Sequence, residues 1–402
     1  MPLKMLNPVQ HFRSMDISVF FKQGKFWQEH CEELHASQFG KKVTFFTGDA
    51  EEFEGKKIAI IGVCEDRHAG ENVGCDKGPD VIRKQFYKLF QCDHPVEIID
   101  LGNIEPGNEI SDTYYALNET CQFLLKKEII PLILGGSQDL TYANYQAYEC
   151  MEQTVNLVTI DYRLDLGKTE NDLTSKGFLN KVILHKPNYL FNFGNIGHQR
   201  YHVEPELLEL MNNMYFDSFR LGEMQPAPQR TEPIIRNADI LSFDISSVRM
   251  SESPGSAYAG PNGFYGEEAA QLCRYAGMSD KLTSFGIYEY NPLFDRAEQS
   301  AMLIAQMMWC FIEGYSQRKN DYPIGDYSEY DKYIVPLSDD HHELVFYKSN
   351  KSDRWWMDVP YPAGQREKYE RHHIVPCTYE EYLQASNEEM PDRWWRTYQK
   401  LV

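Results

Sequence analysis

No stretch of this chain approaches the ~18 uninterrupted apolar residues that a bilayer crossing requires, and Met1-Pro-Leu-Lys-Met-Leu-Asn-Pro8 lacks the apolar core of a secretory leader. Neither a spanning segment nor export is expected. Positive charge is also in short supply: 40 Lys and Arg against 60 Asp and Glu leave a net charge of −20. Such a surface repels polyanions, so neither nucleic acid nor an anionic membrane is an expected partner. None of the nine cysteines falls in a CxxC, and several lie in apolar contexts, which implies reduced, buried thiols and a cytoplasmic location. A P-loop, a GxSxG elbow, a GxGxxG opening a helix and an HExxH are all missing, which removes NTPase, esterase, dinucleotide and zinc-protease readings. His198-Gln-Arg-Tyr-His202 has spaced histidines without the glutamate and reads as a surface pair, and His341-His342 and His372-His373 as ordinary tail residues.

The 42% apolar content can build a full core. From Lys57 onward, buried strands alternate with amphipathic helices. Ile58–Val63, Val96–Leu101, Ile129–Leu134, Leu157–Asp161, Asn188–Phe193, Ile240–Asp244 and Leu282–Tyr288 read as strands. Gly78–Leu89, Asp112–Lys127, Leu140–Met151, Glu206–Met214, Glu267–Ala276 and Ala297–Gly314 read as helices. The alternation predicts a three-layer α/β/α fold on a mainly parallel sheet. Residues 1–55 form an N-terminal extension, 56–318 the α/β domain, and 319–402 an aromatic-rich C-terminal extension holding four of the six tryptophans. Within that extension, Glu343–Lys348 and Asp353–Val359 read as a hairpin. The repeated Asp353-Arg-Trp-Trp356 and Asp392-Arg-Trp-Trp395 suit either a clamp onto the chain's own core or a partner interface, the clamp being preferred.

Four strand ends carry polar groups where an open parallel sheet places its ligands: Gly135-Gly-Ser-Gln-Asp-Leu-Thr141, Asp161-Tyr-Arg-Leu-Asp165, Ser242-Phe-Asp-Ile-Ser246 and Glu289-Tyr-Asn-Pro292. In order, these resemble the GGDHSLT, DAHxD, SxDxD and EVNP motifs of the ureohydrolases, the arginase, agmatinase and formiminoglutamase family. Pro254-Gly-Ser-Ala-Tyr-Ala-Gly-Pro-Asn-Gly-Phe-Tyr-Gly-Glu-Glu268 resembles that family's PGTGTPxPGGLTxxE loop. Thr174-Ser-Lys-Gly-Phe178 stands where formiminoglutamases carry an SGTPF-like loop, so that branch is the nearer one. The resemblance runs from Gly74 to about Gly314 and implies an arginase-like fold.

It also implies a binuclear manganese site whose bridging hydroxide attacks an amidine or guanidine carbon. Half of the implied ligands have changed. Asp161, Asp165 and Asp244 remain, while Gln138, Arg163 and Ser246 replace two histidines and an aspartate. With Gln138 as a neutral oxygen donor, the vestigial set suits at most one divalent cation, Mg²⁺, Mn²⁺ or Ca²⁺. A guanidinium has no lone pair for a metal and stays protonated. Arg163 is therefore expected to stand in for the second ion by forking onto Asp161 or Asp244. Gln138 and Ser246 also suit helix capping, and capping is preferred for Ser246. Glu289 either contacts a substrate cation, as the resemblance implies, or pairs with Arg163. Tyr258 adds bulk that fills the cleft.

Two functions follow. One is a pseudoenzyme that binds a protein or a small molecule. The other is a hydrolase of linear amidines using one hard ion or none. The resemblance implies a homo-oligomer in either case.

Overall fold

A computed structural model describes residues 16–21, 30–167, 173–323, 327–337, 343–362, 364 and 369–402. Nine strands form one sheet: β1 (Thr44–Phe45), β2 (Ile58–Val63), β3 (Ile98–Ile104), β4 (Ile130–Leu134), β5 (Val155–Ile160), β6 (Leu190–His198), β7 (Asp217–Arg220), β8 (Ile240–Asp244) and β9 (Ser284–Tyr288). Their order is β1-β3-β2-β4-β9-β8-β5-β6-β7, and every neighbouring pair is parallel. An all-parallel sheet must be covered on both faces, and the strands accordingly read as continuous apolar runs.

β2 shows how the two faces are filled. Ile58 and Ile60 point toward Ile82 and Phe86 of α1 (Gly78–Phe86), while Ala59, Ile61 and Val63 point toward Leu117 and Leu124 of α2 (Ile110–Lys126). The alternation is the period of two that a strand imposes on its side chains. The α2 face also receives α3 (Leu140–Gln146) and α4 (Phe178–Leu184). On the α1 face lie α5 (Gly266–Met278) and α6 (Gln299–Ser316), which bring Leu272, Ile304, Met307 and Phe311. One buried ion pair ties α1 to β3: Arg83 Nε donates to Asp100 Oδ2 at 2.8 Å and Nη2 to Oδ1 at 3.0 Å. The expected strands and helices are present with shifted ends. β7 was not expected, because as an edge strand it buries none of its four residues fully and shows no apolar run.

A second, antiparallel sheet follows: β10 (Tyr330–Pro336), β11 (Glu343–Ser349), β12 (Trp355–Asp358) and β13 (Ile374–Cys377), with α7 (Tyr379–Ser386) and α8 (Asp392–Leu401) after it. β11 and β12 are the expected hairpin. α7 starts on a reciprocal cap in which Thr378 N donates to Glu381 Oε2 at 2.8 Å and Glu381 N to Thr378 Oγ1 at 3.2 Å. This segment is fastened to its own chain. Trp356 is fully buried beneath the Arg236 guanidinium, 4.4 Å from its ring centre, and Arg236 Nη2 donates to the carbonyls of Trp355 and Cys377. Arg371 donates to Asp239 Oδ1 at 2.6 Å, and Lys400 to Asn192 Oδ1 at 2.6 Å. Trp355 and Trp394 are buried as well, whereas Trp395 is 45% exposed.

One histidine expectation needs correction. His198 closes β6 and is buried, not a surface residue, and burial pushes its imidazole down to about 4. His372 is buried against Phe191, ring centres 3.9 Å apart. His341 and His342 lie outside the described residues. No helix among the described residues is long and apolar enough to cross a membrane. All nine cysteines are unpaired.

Candidate functional site

The four polar strand ends converge, because β4, β9, β8 and β5 are consecutive in the sheet. The turn after β4 passes so close to the loop after β2 that a Cβ at Gly136 would overlap the Glu65 carbonyl, which makes that glycine obligatory. Ser137 N donates to the Glu65 carbonyl at 3.1 Å, and Glu289 N donates to the Gly136 carbonyl at 2.9 Å. Glu289 is held from both ends. Gln138 N donates to its Oε1 at 2.8 Å, and Asn72 Nδ2 to its Oε2 at 2.7 Å and its carbonyl at 3.0 Å. Its φ of +66° is a left-handed backbone that a glutamate adopts only where surrounding bonds impose it. Of the two roles open to it, pairing with Arg163 is not made: among the described residues the partners of Glu289 are Gln138 and Asn72.

Asp244 ends β8 and caps the turn that follows, its Oδ1 accepting from Ser246 N at 2.7 Å and Ser246 Oγ at 2.6 Å. Ser246 is thereby a donor to Asp244. Gln138, with its amide oriented so that the nitrogen faces the carboxylates, donates to Asp165 Oδ2 at 3.1 Å and Asp244 Oδ2 at 3.3 Å. Asp161 Oδ1 accepts from Arg163 N at 2.9 Å. The guanidinium itself departs from expectation: its Nε lies 3.6 Å from Asp165 Oδ1, and it forks onto neither Asp161 nor Asp244. Asp165 itself has a left-handed backbone, φ +48°. Neither Arg163 Nε nor Asp165 Oδ1 has a hydrogen-bond partner.

Burial dominates the electrostatics. It raises Asp165 to about 6, Asp244 to about 7 and Glu289 to about 8, with Asp161 also adding to Asp244 and Asp244 to Glu289. Asp161 is pushed well above the usual carboxylate range by burial and then by the neighbouring Asp165. The protein thus relieves like-charge crowding with protons, amides and hydroxyls.

The metal pair implied by the resemblance does not fit these residues. Arg163 brings a positive charge at a position where a second ion would need a donor, and Ser246 Oγ points its proton at Asp244. Among the described residues no group of three or more His, Cys, Asp or Glu is arranged to hold an ion.

At the rim, the Arg163 guanidinium lies between two rings, 4.6 Å from Tyr162 and 5.2 Å from Tyr258, and Lys176 Nζ is 4.0 Å from the Tyr258 ring centre. Tyr258 fills the rim as its bulk suggests, its hydroxyl donating to the Ala69 carbonyl at 2.8 Å and accepting from Glu71 N at 2.9 Å. Ser246 and Tyr258 line a cavity of about 360 Å³ together with Tyr162, Gln199, His202 and Asn262. Sequence reasoning missed Asn72, Tyr162 and Lys176 as site residues. Lys176 sits in the loop already compared with SGTPF, and no signal in the sequence marks it out.

A model of the arginase family matches residues 56–313. The formimidoylglutamase of Staphylococcus epidermidis is 25% identical over 302 residues, covering 71% of this chain and 97% of that protein. Among solved structures, Trypanosoma cruzi formiminoglutamase with Mn²⁺ aligns at a TM-score of 0.62 and 19% identity, covering 70% of this chain and 99% of its own. Formimidoylglutamase from Bacillus subtilis aligns at 0.64 and 17% identity, covering 72% and 94%. At such identities the structural likeness speaks to the fold alone.

Proposed function

The chain belongs to the arginase family, and on that premise we propose that it is a non-catalytic member whose cleft binds a small molecule or a protein segment. The observation that carries this reading is the internal partnering of two of the three remaining aspartates, Asp165 and Asp244. Arg163 pairs with Asp165, the Gln138 amide bridges Asp165 and Asp244, and Ser246 donates to Asp244. A family hydrolase needs a hydroxide activated between two ions. Here Ser246 donates to Asp244 where the resemblance implies a further carboxylate, and Arg163 stands where it implies a histidine. The competing reading, a linear-amidine hydrolase using one hard ion, draws on the gathering of Asp161, Asp165 and Asp244 in one buried cluster.

Metal analysis of the purified protein together with assays for urea and formamide release from arginine, agmatine and N-formiminoglutamate separates the two. Substoichiometric metal and no Mn²⁺-stimulated release are expected. Release that rises with Mn²⁺ and vanishes in Asp244→Ala would establish the hydrolase instead.

A further inference from the structure

At the end of the sheet opposite the cleft, the starts of β2, β4 and β9 surround a second cavity of about 380 Å³, within the ~300–1,000 Å³ typical of small-molecule sites. Leu125, Ile129, Met151 and Leu282 give it apolar walls, and Arg371 of the C-terminal extension closes one side. Several polar groups around it already satisfy one another. Tyr148 Oη and Thr283 Oγ1 share a hydrogen bond at 2.7 Å, and Arg371 Nη2 donates to Asp239 Oδ1 at 2.6 Å.

Three charged side chains that line the cavity are not satisfied. Arg318, just past α6, is partly buried with its guanidinium 4.4 Å from the Tyr315 ring centre. Its Nε donates to the Gly277 carbonyl at 2.9 Å and its Nη2 to the Leu282 carbonyl at 3.0 Å, which leaves Nη1 without a bond. Burial lowers its basicity to about 10, and Asp280 on the same wall opposes this without forming an ion pair. Lys57, directly before β2, is exposed and has neither an ion pair nor a side-chain hydrogen bond among the described residues. The same holds for Glu128, the second residue after α2.

The backbone singles out Glu128 further. Glu128 N donates to the Leu125 carbonyl and Ile129 N to the Leu124 carbonyl, both at 3.0 Å, the helix ending that places a left-handed residue between them. Glycine is favoured at that position, yet Glu128 occupies it at φ +57°. A carboxylate is thus presented at the cavity at a backbone cost that glycine would avoid.

Unpaired charges of both signs around one apolar cavity call for a ligand that carries both. We propose that this cavity binds a zwitterionic amino acid with an apolar carbon skeleton, its carboxylate on Arg318 Nη1 and Lys57, its ammonium on Glu128, and its skeleton against Leu125, Ile129 and Met151. A lone anion would meet Glu128 and Asp280, and a lone cation Arg318 and Lys57. None of these residues belongs to the cleft, so the assignment stands whether or not the cleft is catalytic.

The test is calorimetric titration of the full chain with leucine and ε-aminocaproate, which hold the two charges close together and far apart. Isocaproate and caproate keep the carboxylate alone, and isoamylamine and hexylamine the ammonium alone. At least one amino acid should bind, about ten-fold or more tightly than its singly charged counterparts, each of which lacks one charge-assisted contact. Lys57→Ala and Glu128→Gln, both at exposed positions, should each weaken binding roughly three- to ten-fold. Glu128→Gly should weaken it without lowering the melting temperature, because glycine suits a left-handed position. Lys176→Ala, in the cleft, should leave the affinity unchanged. The proposal is overturned if neither amino acid binds, if a singly charged counterpart binds as tightly, or if Lys57→Ala and Glu128→Gln both leave the affinity unchanged. Binding lost in Lys176→Ala and kept in Glu128→Gln would also overturn it, by placing the amino acid in the cleft.

Discussion

Arg163 Nε and Asp165 Oδ1 stand 3.6 Å apart, both buried, and no hydrogen bond closes the gap between them. An ion pair of this kind repays only part of its desolvation, but removing one member strands the other. Arg163→Ala is therefore expected to cost on the order of 3 kcal/mol at pH 8, at the lower end of the range for breaking a buried pair. Because burial raises Asp165 to about 6, that carboxyl is mostly protonated at pH 5 and the cost should shrink there. Urea denaturation at the two pH values measures this. An equal cost at both would locate the contribution of Arg163 in its packing between Tyr162 and Tyr258 instead.

The wild-type pH profile follows from the same cluster. Asp165, Asp244 and Glu289 have folded-state values raised to about 6, 7 and 8, so through these groups the folded chain binds more protons between pH 4 and 8, a balance that buried His198 and His372, both lowered, partly offset below about pH 6.5. Stability is then greatest at the acidic end and falls as pH rises through those values, each deprotonating group costing at most about 1.4 kcal/mol per pH unit. Denaturant midpoints at pH 5, 6, 7 and 8 should decline, and Asp244→Asn should flatten the decline. A profile that rises over this interval would mean that a bound cation holds the carboxylates ionised.

Three of the four tryptophans in the two Asp-Arg-Trp-Trp segments are buried within the chain, which predicts what trimming does. Trp356 lies beneath Arg236, whose burial already lowers the basicity of its guanidinium. Trp356→Ala should cost about 3–5 kcal/mol, the range for emptying a large aromatic site. Deleting residues 319–402 should uncover Arg236 and the apolar surface around it and cause aggregation. Light scattering on the truncated chain checks this, and a monodisperse, equally stable product would show the segment to be dispensable.

What could be read from the residues alone was whatever depends on local pattern. Apolar runs marked the strands, and their polar ends brought Gln138, Asp161, Asp165, Asp244 and Glu289 to one cleft, since β4, β9, β8 and β5 are neighbours. The direction of a side chain is not local. Arg163 was expected on Asp161 or Asp244 and instead lies nearest Asp165, a choice among three clustered carboxylates that no local pattern encodes. Ser246 was expected to cap the turn that follows, whereas Asp244 is the cap and Ser246 donates to it, since the side-chain acceptor two residues earlier takes both its N–H and its hydroxyl. Lys176 was not legible: only the folded loop carries it to Tyr258. Edge strand β7 and the buried His198 escaped for a related reason, that polar residues pack only after the surroundings exist.

If three residues replaced the metal ligands, restoring them should restore the metal. Arg163→His removes the resident cation, Gln138→His puts a lone pair where an amide nitrogen now faces Asp165 and Asp244, and Ser246→Asp supplies a carboxylate in place of a hydroxyl donor. The triple variant without metal gathers more negative charge in the same buried space and should be less stable than wild type. Adding Mn²⁺ should reverse this, since a ligand bound only by the folded state stabilises it by about 2.7 kcal/mol at a concentration 100-fold above Kd. The readout is a melting temperature that rises with Mn²⁺ in the triple variant and stays fixed in wild type. Each single variant keeps two of the three obstacles and should respond little, so the response belongs to the combination. A wild-type protein that is itself stabilised by Mn²⁺ would show that Asp161, Asp165 and Asp244 still hold an ion despite Arg163, and the internal partnering described above would not be what keeps the site from working as a metal centre.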